Sequence, residues 1–316
     1  MNIKLKLSLI AVVITCSGWG FFGHETINRL SVFTLPPEMT VFYKKNIHYI
    51  VEASVYPDQR RYAVAEEGPR HYIDLDDYGE SAGHLPERWN DAVEKLGKDS
   101  LMAHGIVPWH THRMFLQLRE AFMFGDPRRI LRVSSELGHY VADAHVPLHT
   151  TSNHNGQKTD QHGIHGLWES RLPELFSGDY DFFVGRATYV PDVQKAMWEV
   201  VKQSHACVDS VLAFERELSK KEMSRKYAFE TRAKQTVKVY SLRYSKMYHT
   251  MLRGMVERRM RSSIRMVGNL WYTAWVDAGQ PDLKKLIDYE PTDMELKQRR
   301  EDLETWKLQN FTVRDH

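Results

Sequence analysis

Glu136-Leu137-Gly138-His139-Tyr140-Val141-Ala142-Asp143-Ala144-His145-Val146-Pro147-Leu148-His149 is the stretch on which the rest of the chain turns. Asp126 is a natural N-cap and Pro127 a natural first helical residue, while Pro147 forbids continuation, so the pattern predicts a helix over 127–145. On that helix His139 and Asp143 stand one turn apart and share a face, placing an imidazole and a carboxylate where one cation could be gripped. His149 follows just past the helix end. Twenty residues on, His165-Gly166-Leu167-Trp168-Glu169 repeats the spacing of an imidazole and a carboxylate at i and i+4.

One such pair is ordinary surface chemistry. Two of them flanking Pro147-Leu148-His149 form a donor set of nitrogen and carboxylate oxygen without sulfur, which suits zinc. Too few protein ligands to close every coordination position leaves room for water, the arrangement of catalysis rather than of a structural staple.

The 316 residues are 42% hydrophobic and 11% aromatic, enough for a large buried core and incompatible with global disorder. A net charge of +2 selects no partner. Lys4 and Lys6 precede the apolar run 7–14 and then Thr15-Cys16-Ser17-Gly18, which reads as a signal peptide over 1–18 cleaved after Gly18. The alternative is lipoprotein processing before Cys16, against which Thr15 fits poorly. No segment is long and apolar enough to be a transmembrane anchor. Export to a periplasmic or extracellular compartment is the expectation, and the cleaved chain keeps only Cys207, so no internal disulfide can form.

Helical periodicity dominates the remainder. Helices are expected near 24–33, 37–54, 86–98, 108–124, 127–145, 164–175, 191–219, 226–252 and 255–277, giving an all-α, bundle-like domain over 19–276. A charged appendage with a short helix near 294–308 follows over 277–316. Lys and Arg crowd 225–265, where the only acids are Glu230 and Glu257. That stretch is either a solvated helical face or a surface for phosphate or an anionic membrane.

Further candidate ligands lie upstream: Trp19-Gly-Phe-Phe-Gly-His24, Asp58 after Tyr56-Pro57, and His71 in Arg70-His-Tyr-Ile-Asp74. With these, the sequence resembles the superfamily of zinc-dependent phospholipases C and single-strand-specific plant and fungal nucleases. The pattern Trp-x4-His, Asp, His, His-x3-Asp-x5-His, His-x3-Glu runs from Trp19 to Glu169. The resemblance implies a trinuclear zinc cleft. Asp58, His71, His139 and Asp143 would hold one Zn2+; His149, His165 and Glu169 a second; the amine and carbonyl of Trp19 with His24 a third, with Asp143 bridging the first and third. Asp58 would also act as the catalytic residue that orients or deprotonates the attacking water. Clustered zinc lowers the pKa of a shared water from ~15.7 toward ~7 and neutralises phosphate oxygens. Asp74 and Asp76 compete with Asp58 for its place. His145, His154 and His162 match no ligand position, and Trp109 and Trp168 read as core.

The expected enzyme is therefore an exported zinc-dependent hydrolase of phosphate esters. Glu169, the short interval from His149 to His165, and Gly105-Ile-Val-Pro-Trp109 resemble the phospholipase C branch. The short Trp-x4-His resembles the nuclease branch, so a single-strand nuclease or 3′-nucleotidase is the alternative, with single-stranded nucleic acid rather than phospholipid as substrate. Two other classes remain: a non-enzymatic zinc-binding exported protein, and a helical protein making peripheral membrane contact.

Overall fold

The computed structural model describes residues 21–232 and 235–308. In chain order the helices begin with α1 (Phe21–Ser31), α2 (Pro37–Lys45), α3 (Ile47–Glu52) and α4 (Tyr56–Arg60). There follow α5 (Trp89–Leu96), α6 (Lys98–His104), α7 (Val107–Phe124) and α8 (Pro127–His145). A composite helix comprises α9 (Ile164–Gly166), a π turn (Leu167–Arg171) and α10 (Leu172–Phe176). Then come α11 (Val193–His205), α12 (Val208–Glu222), the strands β1 (Tyr227–Arg232) and β2 (Gln235–Tyr240), α13 (Leu242–Met251), α14 (Met255–Asp277) and α15 (Asp293–Leu308). The fold is all-α, as the periodicity predicts, apart from one hairpin that the periodicity does not predict.

Helix α8 is the axis of the molecule. The Asp126 side chain caps it by accepting from Arg129 N at 3.0 Å, and it stops at Val146, extended ahead of Pro147. Gly125, left-handed at φ 62°, lets a two-residue turn fold α8 back along α7. From Val133 to His145 every residue is buried, because α1, α3, α7, α11 and α14 all pack around it. A helix enclosed on all sides cannot be polar on any face without a partner, so its buried His139 and Asp143 need one. Gly138 sets the closest approach: a Cβ there would collide with the amide of Asn28 on α1. On the far side, Trp271 of α14 stacks on Tyr43 at 5.0 Å and donates to the Ser134 carbonyl at 3.1 Å.

Three expectations need correction. The helix expected over 226–252 is a hairpin followed by a helix. Thr231, Thr236, Val237 and Val239 are β-branched and suit strands, which pair antiparallel with Tyr227 opposite Tyr240. The helix expected over 37–54 breaks at Asn46, and that over 191–219 at Ala206-Cys207. The basic residues of 225–265 do not all face one way, consistent with core-forming Tyr240 and Tyr244 lying among them: Lys226 and Arg259 are buried, while Arg243 pairs with Glu222 and Arg261 with Asp181. Helix α15 lies where the sequence places it and packs on α4: Arg299 Nε donates to Tyr56 Oη at 2.6 Å, and Trp306 meets the Tyr56 ring edge-on. Among the described residues, no helix is long and apolar enough to cross a membrane.

Candidate metal centre

Six pieces of chain deliver side chains to one point around α8. His24 comes from α1, Asp58 from α4, His71 from just after the 3-10 turn Gly68–Arg70, and His139 and Asp143 from α8. His149 lies on the short turn Pro147–Thr150, and His165 and Glu169 on the composite helix. The π turn is wide and leaves Glu169 Oε2 2.6 Å from His165 Nε2. All eight described candidates from the sequence are thus brought together. Trp19 and residues 1–18 lie outside the described residues.

The donor atoms fall into overlapping groups, each able to hold a metal ion: His71, His139 and Asp143; His149, His165 and Glu169; His24, Asp143 and Glu169; and His24, Asp58 and His139. In the first, Asp143 Oδ2 is 2.9 Å from His71 Nδ1 and 3.3 Å from His139 Nε2, and the two nitrogens are 3.0 Å apart. Asp58 Oδ1 stands off at 3.9–4.0 Å from both rings. Zinc bonds of about 2.0–2.1 Å imply tetrahedral edges near ~3.3 Å, a length these separations bracket. Glu169 Oε2 is also 3.4 Å from His149 Nε2.

Proton placement fits a cation too. His139 Nδ1 donates to the Ser54 carbonyl at 2.8 Å and His149 Nδ1 to the His71 carbonyl at 2.7 Å. A carbonyl can only accept, so each ring in its neutral form keeps Nε2 unprotonated and turned to the cluster. Burial lowers the His149 pKa, but Asp143 and Glu169 outweigh it and raise it. His24 Nε2 faces three carboxylates, Asp143 at 3.4 Å, Glu169 at 3.5 Å and Asp58 at 3.9 Å. Its approach to Glu169 goes beyond the sequence reading, which gave Glu169 to the second group alone.

Charge in the metal-free cluster is carried by protons. Burial drives the His24 and His71 pKa values down, but the carboxylates outweigh it, chiefly Glu169 for His24 and Asp143 for His71, and raise each to about 9. Burial opposes ionisation of Asp143 and Glu169 as well, yet the facing imidazoles hold both well below the usual carboxylate range. His139 is pushed down by burial, with the charge on His24 adding to it.

Other sequence candidates do different work. Asp76 accepts from Ser152 N at 2.7 Å and from Thr151 Oγ1 at 3.1 Å, tying down the loop after His149. Asp74, His145, His154 and His162 enter none of the donor groups. His145 is buried and donates from Nδ1 to the Val141 carbonyl. Trp109 and Trp168 are core residues.

Two residues were not picked out from the sequence. Arg61 sits against the cluster, 11% exposed, with a guanidinium nitrogen 3.6 Å from Asp58 Oδ1 and its Nε buried without a hydrogen-bond partner. Glu67, fully buried, stands behind His71. Its signal was the spacing Glu67-x3-His71, the reverse order of His139-x3-Asp143, masked by the Gly68-Pro69 break. Compared with protein-family models and with curated proteins, the chain matches none.

Proposed function

We propose that the protein is a zinc-dependent hydrolase of phosphodiesters, exported and phospholipase C-like, with three Zn2+ held by the groups above. The observation that carries the reading is the sharing of Asp143 between groups, one oxygen toward His71 and His139 and the other toward His24. Adjacent groups joined by one carboxylate suit ions a few ångströms apart, the spacing that phosphoryl transfer uses. Zinc held by these residues would supply hydroxide at neutral pH and neutralise phosphate oxygens.

The chain's own residues would do the rest. His149, His165 and Glu169 are a three-donor group, which leaves a coordination position for a substrate oxygen. Asp58, with an oxygen toward each of two groups, is placed to orient the attacking water and take its proton. Arg61, beside it, offers a permanent positive charge to a phosphoryl oxygen. The Trp19 amine and carbonyl would complete the His24 group. Glu169, the short interval from His149 to His165 and Gly105-Ile-Val-Pro-Trp109 support phospholipase C-like chemistry; the short Trp19-x4-His24 spacing supports the second reading, a single-strand nuclease or 3′-nucleotidase.

The test is an activity panel of zinc-loaded protein on phosphatidylcholine, single-stranded DNA, RNA and 3′-nucleotides, with and without chelator. Hydrolysis of one class that stops on chelation and returns with zinc is expected. Full zinc occupancy with no turnover on any substrate would replace the enzyme by a zinc-binding protein.

A further inference from the structure

We propose that Glu67 is a positioning residue for the first donor group: it holds the His71 ring from behind by Nε2, so that Nδ1 faces the cation as an electron-pair donor. The inference rests on the metal-centre reading for the presence of a cation, and extends it to how one ligand is oriented.

Glu67 stands outside the donor cluster, on the opposite side of the imidazole. Its Oε1 is 3.6 Å from His71 Nε2, an ion-pair distance that a small tightening would turn into a hydrogen bond, while His71 Nδ1, across the ring, is 2.9 Å from Asp143. A fully buried carboxylate is expensive and survives only with partners. Glu67 has three besides His71. Arg60 Nε and Arg70 Nη1 donate to Oε2 at 2.7 and 2.6 Å, and the Tyr140 hydroxyl donates to Oε1. An apolar side chain of similar volume would fill the space without any of this support. What an apolar side chain cannot do is accept the N–H of a ligand imidazole.

That acceptor is required. A histidine that gives one nitrogen to a cation needs its other N–H satisfied, and the acceptor fixes tautomer and ring orientation. His139 and His149 use backbone carbonyls, of Ser54 and His71. Those two rings turn Nε2 to the cluster. His71 is reversed, with Nδ1 toward the cluster, so its Nε2 points outward to the carboxylate of Glu67. The brace continues to the surface: Arg60 also donates to Glu136 at 3.1 Å, and Trp306 of α15 covers its guanidinium at 5.6 Å. The same Arg60 ends α4, the helix that carries Asp58. Two of the first group's donors, Asp58 and His71, are therefore steadied through one arginine.

The test is a Co2+ titration of the metal-free full chain, followed by visible absorption, with bound cobalt counted after gel filtration. Wild type, Glu67→Gln, Glu67→Asp and Tyr140→Phe are compared. Glu67→Gln is expected to lose about tenfold to a hundredfold in affinity at one site, with an altered ligand-field band and the remaining sites unchanged. Glu67→Asp recovers part of that loss. Tyr140→Phe removes one donor to the same carboxylate but leaves the carboxylate in place, and loses less affinity than Glu67→Gln. A folded Glu67→Gln protein that titrates as wild type overturns the proposal. A wild-type protein that takes up no cobalt overturns the metal-centre reading instead. Should Glu67→Gln not fold, long-range 1H–15N NMR of zinc-loaded wild type decides: His71 protonated at Nε2 and bound through Nδ1 supports the proposal, and the opposite tautomer overturns it.

Discussion

Asp143 and His24 meet from different helices, Asp143 Oδ1 lying 3.4 Å from His24 Nε2, while the other oxygen of the same carboxylate lies 2.9 Å from His71 Nδ1. Glu169 divides itself in the same way, Oε1 toward His24 and Oε2 toward His149 and His165. The donor groups are thus joined at their carboxylates, and damage to one carboxylate reaches two groups.

Asp143→Asn keeps the shape and removes the charge, so it should cost metal in two groups, whereas His165→Ala should cost it in one. Counting bound zinc by native mass spectrometry separates the two outcomes. Turnover of Asp143→Asn should fall by more than about a hundredfold, the upper end of what merely supporting partners cause. Equal zinc loss in the two variants would show that Asp143 is not shared.

The raised histidines make a pH prediction whose sign is fixed. His24 and His71 rise from 6.5 to about 9 in the folded, metal-free chain because, although burial opposes their charge, the carboxylates around them favour it more. The stability they contribute is fully present below about 6.5 and is lost as pH climbs through about 9. Metal-free protein should therefore melt progressively earlier across that window, with a much weaker trend once zinc has displaced the protons. Zinc binding near neutral pH should release protons, read by calorimetry in buffers of different ionisation enthalpy. No proton release would mean that these imidazoles are already neutral.

Gly138 is where packing and site coincide. Ala there would thrust a methyl into the Asn28 amide, whose Nδ2 donates to the Ser135 carbonyl at 3.2 Å, and would push α1 and His24 away from α8. Overpacking of this kind costs about 1–3 kcal/mol, so urea midpoints should drop and the His24 group should lose zinc first. Gly178→Ala, where a Cβ meets open space, should do neither.

How legible this was in the sequence depended on how local the signal is. Helix α8 announces itself through Asp126, Pro127 and Pro147, and its His139 and Asp143 by spacing alone. The hairpin did not: Tyr240, Tyr244 and Met247 continue a helical spacing across its end, and pairing of Tyr227 with Tyr240 is a non-local fact. Glu67 was lost for a related reason. Gly68-Pro69 marks only a turn, and the fold alone places Arg60, Arg70 and Tyr140 around Glu67. Arg61 stands three residues after Asp58 with no motif to mark it, and only the fold puts its guanidinium against that carboxylate.

Arg61 yields the sharpest separation of binding metal from using it. It carries no atom that can ligate a cation, yet sits 3.6 Å from Asp58 and feels Asp143 as well. If its charge serves the substrate, Arg61→Met should keep the zinc content and lower turnover by about a hundredfold to a thousandfold, the scale for losing one donor to a developing oxyanion. Arg61→Lys should fall between, because an ammonium keeps the charge but not the planar fork. Inhibition by inorganic phosphate should weaken in parallel, since phosphate presents the same oxygens. The competing role is to hold Asp58 in place. In that case Arg61→Met would lose zinc from the groups Asp58 faces, while phosphate bound to the remaining metal would inhibit as before. Zinc content and phosphate inhibition, measured on the same preparations, distinguish the two roles.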